Sequence, residues 1–147
     1  MSLLPSSRLW VVGVVFSCLA GVMSAQSPEA FKVRLTMMPV EVATRGLVTG
    51  SGSGSAILEG RQLTLSGSFE GMRGPATVAH VHEGPTKGVR GLALFDLTVA
   101  SEPERVFTGE LDLTPEQVES LRQGRLYVQI NSVSAPDGNL WGWLLPE

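Results

Sequence analysis

The sequence is poor in thiol and imidazole groups, which limits the chemistry available to the protein. Its 147 residues contain a single cysteine, Cys18, and two histidines, His80 and His82. We expect Cys18 to lie in a segment that is removed, which leaves a mature protein with no thiol, no disulfide and no thiolate ligand. A lipidated Cys18 is the alternative, which the bulky Phe16 disfavours. The stability of the mature domain must therefore come from packing.

Positive charge is also scarce, with 11 lysine and arginine residues against 14 aspartate and glutamate residues and a net charge of -3. The basic residues are scattered singly along the sequence. Nucleic acids and anionic membrane surfaces are usually bound by basic patches. The distribution of charge therefore argues against either of them as the partner.

The sequence has a long apolar run, LWVVGVVFSCLAGVM, which follows Arg8 and precedes the small residues of SAQS. At about fifteen residues it is shorter than the roughly twenty that cross a bilayer, and the pattern is typical of a secretory signal peptide. We predict a signal peptide over residues 1–25, cleaved after Ala25 or alternatively after Ser24. Residues 26–147 then form one domain with no stable membrane span, secreted or located in the periplasm or cell envelope.

Period-two alternation dominates the sequence from residue 31 onward. Phe31, Val33 and Leu35 alternate with polar residues, and similar runs are separated by glycine, proline and aspartate. This pattern is typical of an all-β sandwich or barrel. We predict an antiparallel, Greek-key-like β-sandwich, of superoxide-dismutase-like or immunoglobulin-like architecture, with one short helix. The predicted strands cover residues 31–35, 55–58, 62–69, 76–82, 91–99, 105–113, 125–132 and 139–145.

The segment GSGSGS at residues 50–55 has two interpretations. Its composition is that of a flexible linker. We interpret it instead as the start of a strand. A phosphate-binding loop is disfavoured, because the glycines do not lie between a strand and a helix.

The predicted helix lies in TPEQVESLRQG, residues 114–124. Thr114 is the predicted N-cap, Pro115 occupies the first helical position and Gln117 completes a capping box. Gly124 ends the helix. Its narrow apolar stripe predicts that the helix covers one end of the sandwich.

Both histidines lie in VAHVHEGP, residues 78–85. Strand alternation directs Ala79 and Val81 to the core and the two imidazoles to the opposite, more accessible face. Side chains two residues apart on a strand project about 6 to 7 Å from each other, so His80 and His82 could reach one metal ion. They are the candidate metal ligands, with copper as the metal; the alternative is that they are structural residues that hydrogen-bond to their neighbours.

A second polar row is predicted on the strand LYVQINS. Val128 and Ile130 face inward by alternation, whereas Tyr127, Gln129 and Asn131 face outward. We expect this row to lie beside the histidines and to form one polar patch with them. In that patch we expect the Asn131 amide to hydrogen-bond to an imidazole.

The last predicted strand carries Trp141 and Trp143 on one face and Leu140 and Leu144 on the other. Both faces are therefore apolar. We interpret the strand as covered on both sides. The alternative is that the two indoles face solvent and form a flat patch that grips a protein or a sugar ring.

Four segments follow each other in an order that resembles a known family: GSGSAILEGRQLTLSGSFEGM, VAHVHEGPTKGVRG, LTPEQVESLRQGRLYVQINS and PDGNLWGWL. They are similar to the CHRD domain, named for its occurrence in chordin and also common in secreted bacterial proteins. The sequence departs from the family where Asn131 replaces a usual third histidine, and where Asn139 and Trp141 replace a usual glutamate and arginine. A three-histidine cluster is thus reduced to His80 and His82.

The resemblance implies a secreted, non-enzymatic binding or scaffold module whose ligand is an unknown extracellular protein or glycan. One alternative is a weak binding protein for copper or another transition metal that uses the H-x-H strand. The other is a dismutase-like enzyme, because the H-V-H strand is similar to that of copper-zinc superoxide dismutases. Their copper needs more histidines than the chain contains. We predict no catalytic residue, since no third group is placed for acid-base or nucleophilic work.

Overall fold

The computed structural model describes residues 26–147, so the signal peptide predicted for residues 1–25 lies outside the described part of the chain. Within residues 26–147, no helix is long and apolar enough to cross a membrane. The elements of this range are β1 (Glu29–Met37), a 3-10 helix (Val42–Leu47), β2 (Ser51–Glu59), β3 (Gln62–Glu70), β4 (Ala76–Glu83), β5 (Leu92–Ala100), β6 (Val106–Asp112), α1 (Pro115–Arg122), β7 (Leu126–Ser132) and β8 (Leu140–Pro146).

The strands form one closed antiparallel barrel in the order β1-β2-β3-β6-β5-β4-β7-β8. Within it, the order β7-β4-β5-β6 is a Greek-key arrangement. The predicted all-β antiparallel fold with one short helix is confirmed, but the predicted sandwich is wrong. Instead of ending two separate sheets, β1 pairs with β8 and closes the barrel. Alternation of apolar residues specifies which face of a strand is buried, but it does not specify which strands meet at the closure.

Gly52 and Gly54 of GSGSGS lie on the inner side of the barrel, and Gly54 is near the ring of Phe107. β2 begins at Ser51, so the interpretation of this segment as a strand is confirmed. A Cβ atom on Gly54 would lie 2.9 Å from Phe107 Cζ, and one on Gly67 of β3 would overlap the same atom. The alternation of glycine with serine therefore leaves space for a core ring and is not the mark of a linker.

The helix α1 covers the end of the barrel at which β6 ends and β7 begins. The predicted capping box is confirmed, because the Gln117 N–H donates to Thr114 Oγ1 at 3.2 Å and the Thr114 N–H donates to Gln117 Oε1 at 2.9 Å. Val118 and Leu121 are buried in the core. The narrow apolar stripe therefore packs inward, as expected.

The strands β4 and β7 have the predicted inner and outer faces. Ala79 and Val81 of β4 and Val128 and Ile130 of β7 are fully buried inside the barrel. β4 lies between β5 and β7, and β7 pairs in turn with β8. The outer side chains of β4, β7 and β8 therefore form one continuous surface, which carries the candidate site.

Candidate functional site

His80 and His82 project from the outer face of β4, as predicted. Their ring centroids are 5.8 Å apart, and the rings meet edge to face at 80°. The register places His80 between Asp96 of β5 and Gln129 of β7. It places His82 beside Tyr127 of β7. The two imidazoles are therefore close together but have different neighbours.

His82 is held by one stacking contact and one hydrogen bond. Its ring lies 5.0 Å from that of Tyr127 with 19° between the planes, and its Nδ1 lies 3.1 Å from the Gly91 carbonyl oxygen. Because a carbonyl only accepts, Nδ1 carries the proton and Nε2 of the neutral ring bears a lone pair. That Nε2 is buried and has no hydrogen-bond partner within residues 26–147. Burial lowers the pKa of His82, which favours the neutral ring.

His80 faces the carboxylate of Asp96 across the β4–β5 pairing. Its Nε2 lies 3.4 Å from Asp96 Oδ1, and the Asp96 side chain is 95% exposed. A pair this accessible to water contributes little to stability. In the described part of the chain, no group of three or more His, Cys, Asp or Glu side chains is arranged to hold a metal ion. The histidines therefore supply fewer ligands than the three or four that zinc and copper sites normally use.

Gln129 and Asn131 lie beside the histidines, because β4 and β7 are direct neighbours. The prediction that Asn131 hydrogen-bonds to an imidazole is wrong. The Asn131 amide donates to the Pro136 carbonyl at 2.8 Å, and its side-chain oxygen accepts from Gln129 Nε2 at 2.9 Å. The turn after β7 supplies a backbone acceptor for Asn131, and the register places Gln129 opposite His80.

Gln129 is 4% exposed, although it lies on the outer face of β7. Its Nε2 is the donor to Asn131, whereas its Oε1 is buried and has no hydrogen-bond partner in the described residues. A buried polar atom without a partner is costly to the fold. Gln129 and His82 thus each present an unpaired buried acceptor atom, and both residues neighbour His80.

Tyr127 is fully buried, although alternation directs it to the outside of the barrel. Its ring centroid lies 4.5 Å from that of Trp143, 5.0 Å from that of His82 and 5.7 Å from that of Trp141. Its hydroxyl accepts a hydrogen bond from the Gly91 N–H at 3.0 Å. Strand alternation alone does not predict this outer cluster, because it carries no information on the segment after β4, which folds back over Tyr127.

The segment that covers Tyr127 is residues 84–91, which connect β4 to β5 and which we call the covering loop. A Cβ atom on Gly84 would lie 2.9 Å from Trp143 Cη2, and one on Gly91 would overlap a backbone oxygen of β4. Neither position has room for a side chain. The glycines of EGPTKGVRG were the sequence signal for this close packing.

The whole barrel corresponds to a known family of domains. The family model of the CHRD domain matches residues 31–144. The chain belongs to the CHRD family. The match begins in β1 and ends in β8, so it includes the histidine strand, the covering loop and α1 of this CHRD domain. Searches of curated proteins and of solved structures found no match.

Trp141 and Trp143 form a partly exposed pair on the outer face of the CHRD barrel. Their ring centroids are 5.7 Å apart, with 66° between the planes. Leu140 and Leu144, on the other face of β8, are fully buried in the core. The interpretation that β8 is covered on both sides therefore holds for the inner face but only in part for the outer one.

A groove beside Trp143 runs along the junction of β8 and β1 in this CHRD domain. The register places Lys32 opposite Leu145, and Arg34 lies two residues further along β1. Lys87 reaches the same groove from the covering loop. The groove has a volume of about 390 Å³ and is lined by Lys32, Arg34, Lys87, Trp143, Leu145 and Pro146.

Proposed function

We propose that this CHRD domain is a secreted, non-enzymatic binding module whose contact surface is the outer face of β8 with the groove beside it. The supporting observation is that Trp141 and Trp143 are partly exposed while both rings pack on the buried Tyr127. Tryptophan is enriched at binding surfaces. Rings that are already fixed lose little side-chain freedom when a ligand binds, so this pair is suited to recognition.

No catalytic role is proposed for the histidines. One ring nitrogen of His82 is engaged by the Gly91 carbonyl and the other is buried. Neither nitrogen is therefore presented to an organic substrate at the surface of the barrel. His80 faces Asp96, but that carboxylate is 95% exposed and is not held in a fixed position to assist proton transfer or to activate a nucleophile.

Tryptophan fluorescence tests the proposal, because Trp141 and Trp143 are the only tryptophans outside the predicted signal peptide. In a Trp10→Phe background, all emission then comes from the proposed surface. Acrylamide quenching is measured with and without extracellular polysaccharides and secreted proteins, and we expect at least one of them to shield the two indoles. Calorimetry then compares the wild type with a folded Trp141→Ala, Trp143→Ala variant. Equal affinity of the two for the ligand would show that the contact surface does not include the tryptophans.

The proposal includes export of the protein. We expect N-terminal sequencing of material recovered outside the cytoplasm to begin at Gln26, or at Ala25 if cleavage follows Ser24. Recovered material that begins at Met1 would contradict the predicted cleavage.

A weak Cu(II) site at His80 and His82 is the second candidate function. It is supported by the unpaired acceptor atoms that neighbour His80, Nε2 of His82 and Oε1 of Gln129. A neutral imidazole nitrogen is the form of histidine that binds metals. Two imidazoles leave the coordination shell incomplete, so we expect weak binding without turnover. Copper titration of the protein and of a His80→Ala, His82→Ala variant tests this candidate.

A further inference from the structure

Three cationic side chains converge on the groove beside Trp143. Lys32 and Arg34 alternate along the outer face of β1, which places them about 6 to 7 Å apart along the strand. Lys87 comes from the covering loop, far away in the sequence. Because the chain as a whole carries more acidic than basic residues, this convergence does not follow from its composition.

Two of these cations are not neutralised by a carboxylate. Among the ion pairs of the described residues, Arg34 and Lys87 take part in none, whereas Lys32 pairs with Glu147 at 3.3 Å. The Lys32 side chain remains 70% exposed in that pair. The groove therefore presents positive charge that an anionic ligand can pair with.

Trp143 supplies an apolar surface at a fixed position beside this charge. Its ring packs on Tyr127, with centroids 4.5 Å apart, and against Trp141. Gly84 of the covering loop contacts its far edge closely, since a Cβ there would lie 2.9 Å from Cη2. A partly exposed, immobilised indole can stack on the apolar face of a sugar ring. The neighbouring cations can then pair with a carboxylate on the same sugar.

A second groove lies on the other side of Lys32 and Arg34. It has a volume of about 610 Å³, and the outward serines of β2 and β3 line it between those cations and Glu70. Serine hydroxyls both donate and accept hydrogen bonds, as sugar hydroxyls do. Because Lys32 and Arg34 border both grooves, one extended ligand can cross β1 from the indole to the serines.

We call the groove beside Trp143 and the serine groove together the double groove, and we infer that it binds a polysaccharide of uronic acid residues. This inference rests on the proposed binding function and names the class of its ligand. Trp143 stacks on a sugar ring, Arg34 and Lys87 pair with carboxylates, and the serines hydrogen-bond to hydroxyl groups further along the polymer. A DNA strand fits less well, because its deoxyribose rings carry no free hydroxyl group within the chain for the serines to bind. Glu70 and Glu147, which also line the serine groove, repel either polyanion and do not discriminate between them.

Polygalacturonate and its fully methyl-esterified form are a matched pair of probes with one backbone and different charge. In the Trp10→Phe background, we expect polygalacturonate to shield the tryptophans from acrylamide and the ester to bind at least about tenfold more weakly, because the ester carries no negative charge to pair with Arg34 and Lys87. We expect binding to weaken as salt is added. Equal affinity for the two polymers would overturn the inference, as would tighter binding of polyglutamate or of a single-stranded DNA oligomer.

Surface variants test the residues without touching the core. We expect Arg34→Ser, Lys87→Ser to lower the affinity for polygalacturonate by about tenfold or more, because two ionic contacts are lost. Arg73→Ser, at an exposed arginine that lines neither groove, should leave the affinity unchanged. Equal loss in both variants, or loss in neither, would refute the inference. If no uronate probe binds while another partner shields the tryptophans, the inference about the ligand class is wrong but the proposed binding function is supported. If no partner shields the tryptophans, the proposed function is wrong as well.

Discussion

The Tyr127 hydroxyl lies 3.0 Å from the Gly91 amide nitrogen and 3.3 Å from the Gly91 carbonyl oxygen. The same carbonyl lies 3.1 Å from Nδ1 of His82. Two aromatic side chains from neighbouring strands thus hold one backbone unit at the end of the covering loop. This contact fixes the loop that carries Lys87 and that closes over the edge of Trp143.

Removing the hydroxyl with Tyr127→Phe should loosen the covering loop while leaving the barrel intact. The Gly91 N–H then loses its acceptor, which costs about 1 to 2 kcal/mol of unfolding free energy. Urea unfolding measures that loss, and hydrogen exchange should show faster exchange for residues 84–91 than in the wild type. Unchanged exchange in the loop would mean that the hydroxyl does not hold it.

Gly91→Ala should destabilise the protein by at least about 2 kcal/mol, because the new methyl group overlaps a backbone oxygen and the chain must shift. That oxygen is the carbonyl of Glu83 in β4, which is held in the barrel and cannot move aside as a flexible side chain would. Gly46→Ala is the matched control, since a Cβ there meets nothing within 4 Å and the backbone has no positive φ. Similar unfolding midpoints for the two variants in urea would contradict the close packing at Gly91.

His82 should make the folded state less stable in mild acid. Its pKa is lowered in the folded protein, chiefly by burial, from an ordinary value of 6.5. The unfolded chain therefore binds a proton more readily, so the unfolding free energy falls as the pH drops below about 6.5 and is retained above that value. Urea unfolding from about pH 5 to about pH 8 should give a shallower dependence for His82→Gln than for the wild type. Parallel curves would show that His82 does not contribute.

Copper binding should depend on which residue of β7 faces the histidines. The register places Gln129 opposite His80, whereas Asn131 lies one strand repeat further on. We therefore expect Gln129→His to tighten Cu(II) binding by about tenfold or more, and Asn131→His to tighten it less, because a third imidazole helps only where it can reach the same ion. Calorimetric titration measures both. Equal affinity in the wild type and in a folded His80→Ala, His82→Ala variant would eliminate the copper site.

Local patterns in the sequence predicted much of the fold, because they depend on neighbours within one strand or one helical turn. Period-two alternation identified the inner faces of β4 and β7, and the hydrogen-bonding groups of Thr114 and Gln117 identified the start of α1. The closed barrel was not predictable in this way. Closure depends on β1 meeting β8, which no single segment encodes.

Strand alternation predicted only part of the candidate site. It placed His80 and His82 on the outer face, but it could not show that Tyr127 beside them would be buried under the covering loop. The basic residues are scattered in the sequence, and only the β1–β8 register and the covering loop bring Lys32, Arg34 and Lys87 to one groove. Contacts between distant segments therefore determine most of the site's chemistry.

The pairing of β1 with β8 also has a consequence for the timing of folding. Phe31 is paired with Pro146, so the barrel cannot close before β8 has been synthesised. Topologies dominated by contacts between distant residues fold slowly, because a large loop must be ordered before its contacts form. A nascent chain of this protein would thus keep an open barrel until β8 has left the ribosome. If the protein is exported as proposed, that interval is when a translocation channel, which threads extended polypeptide, would accept it.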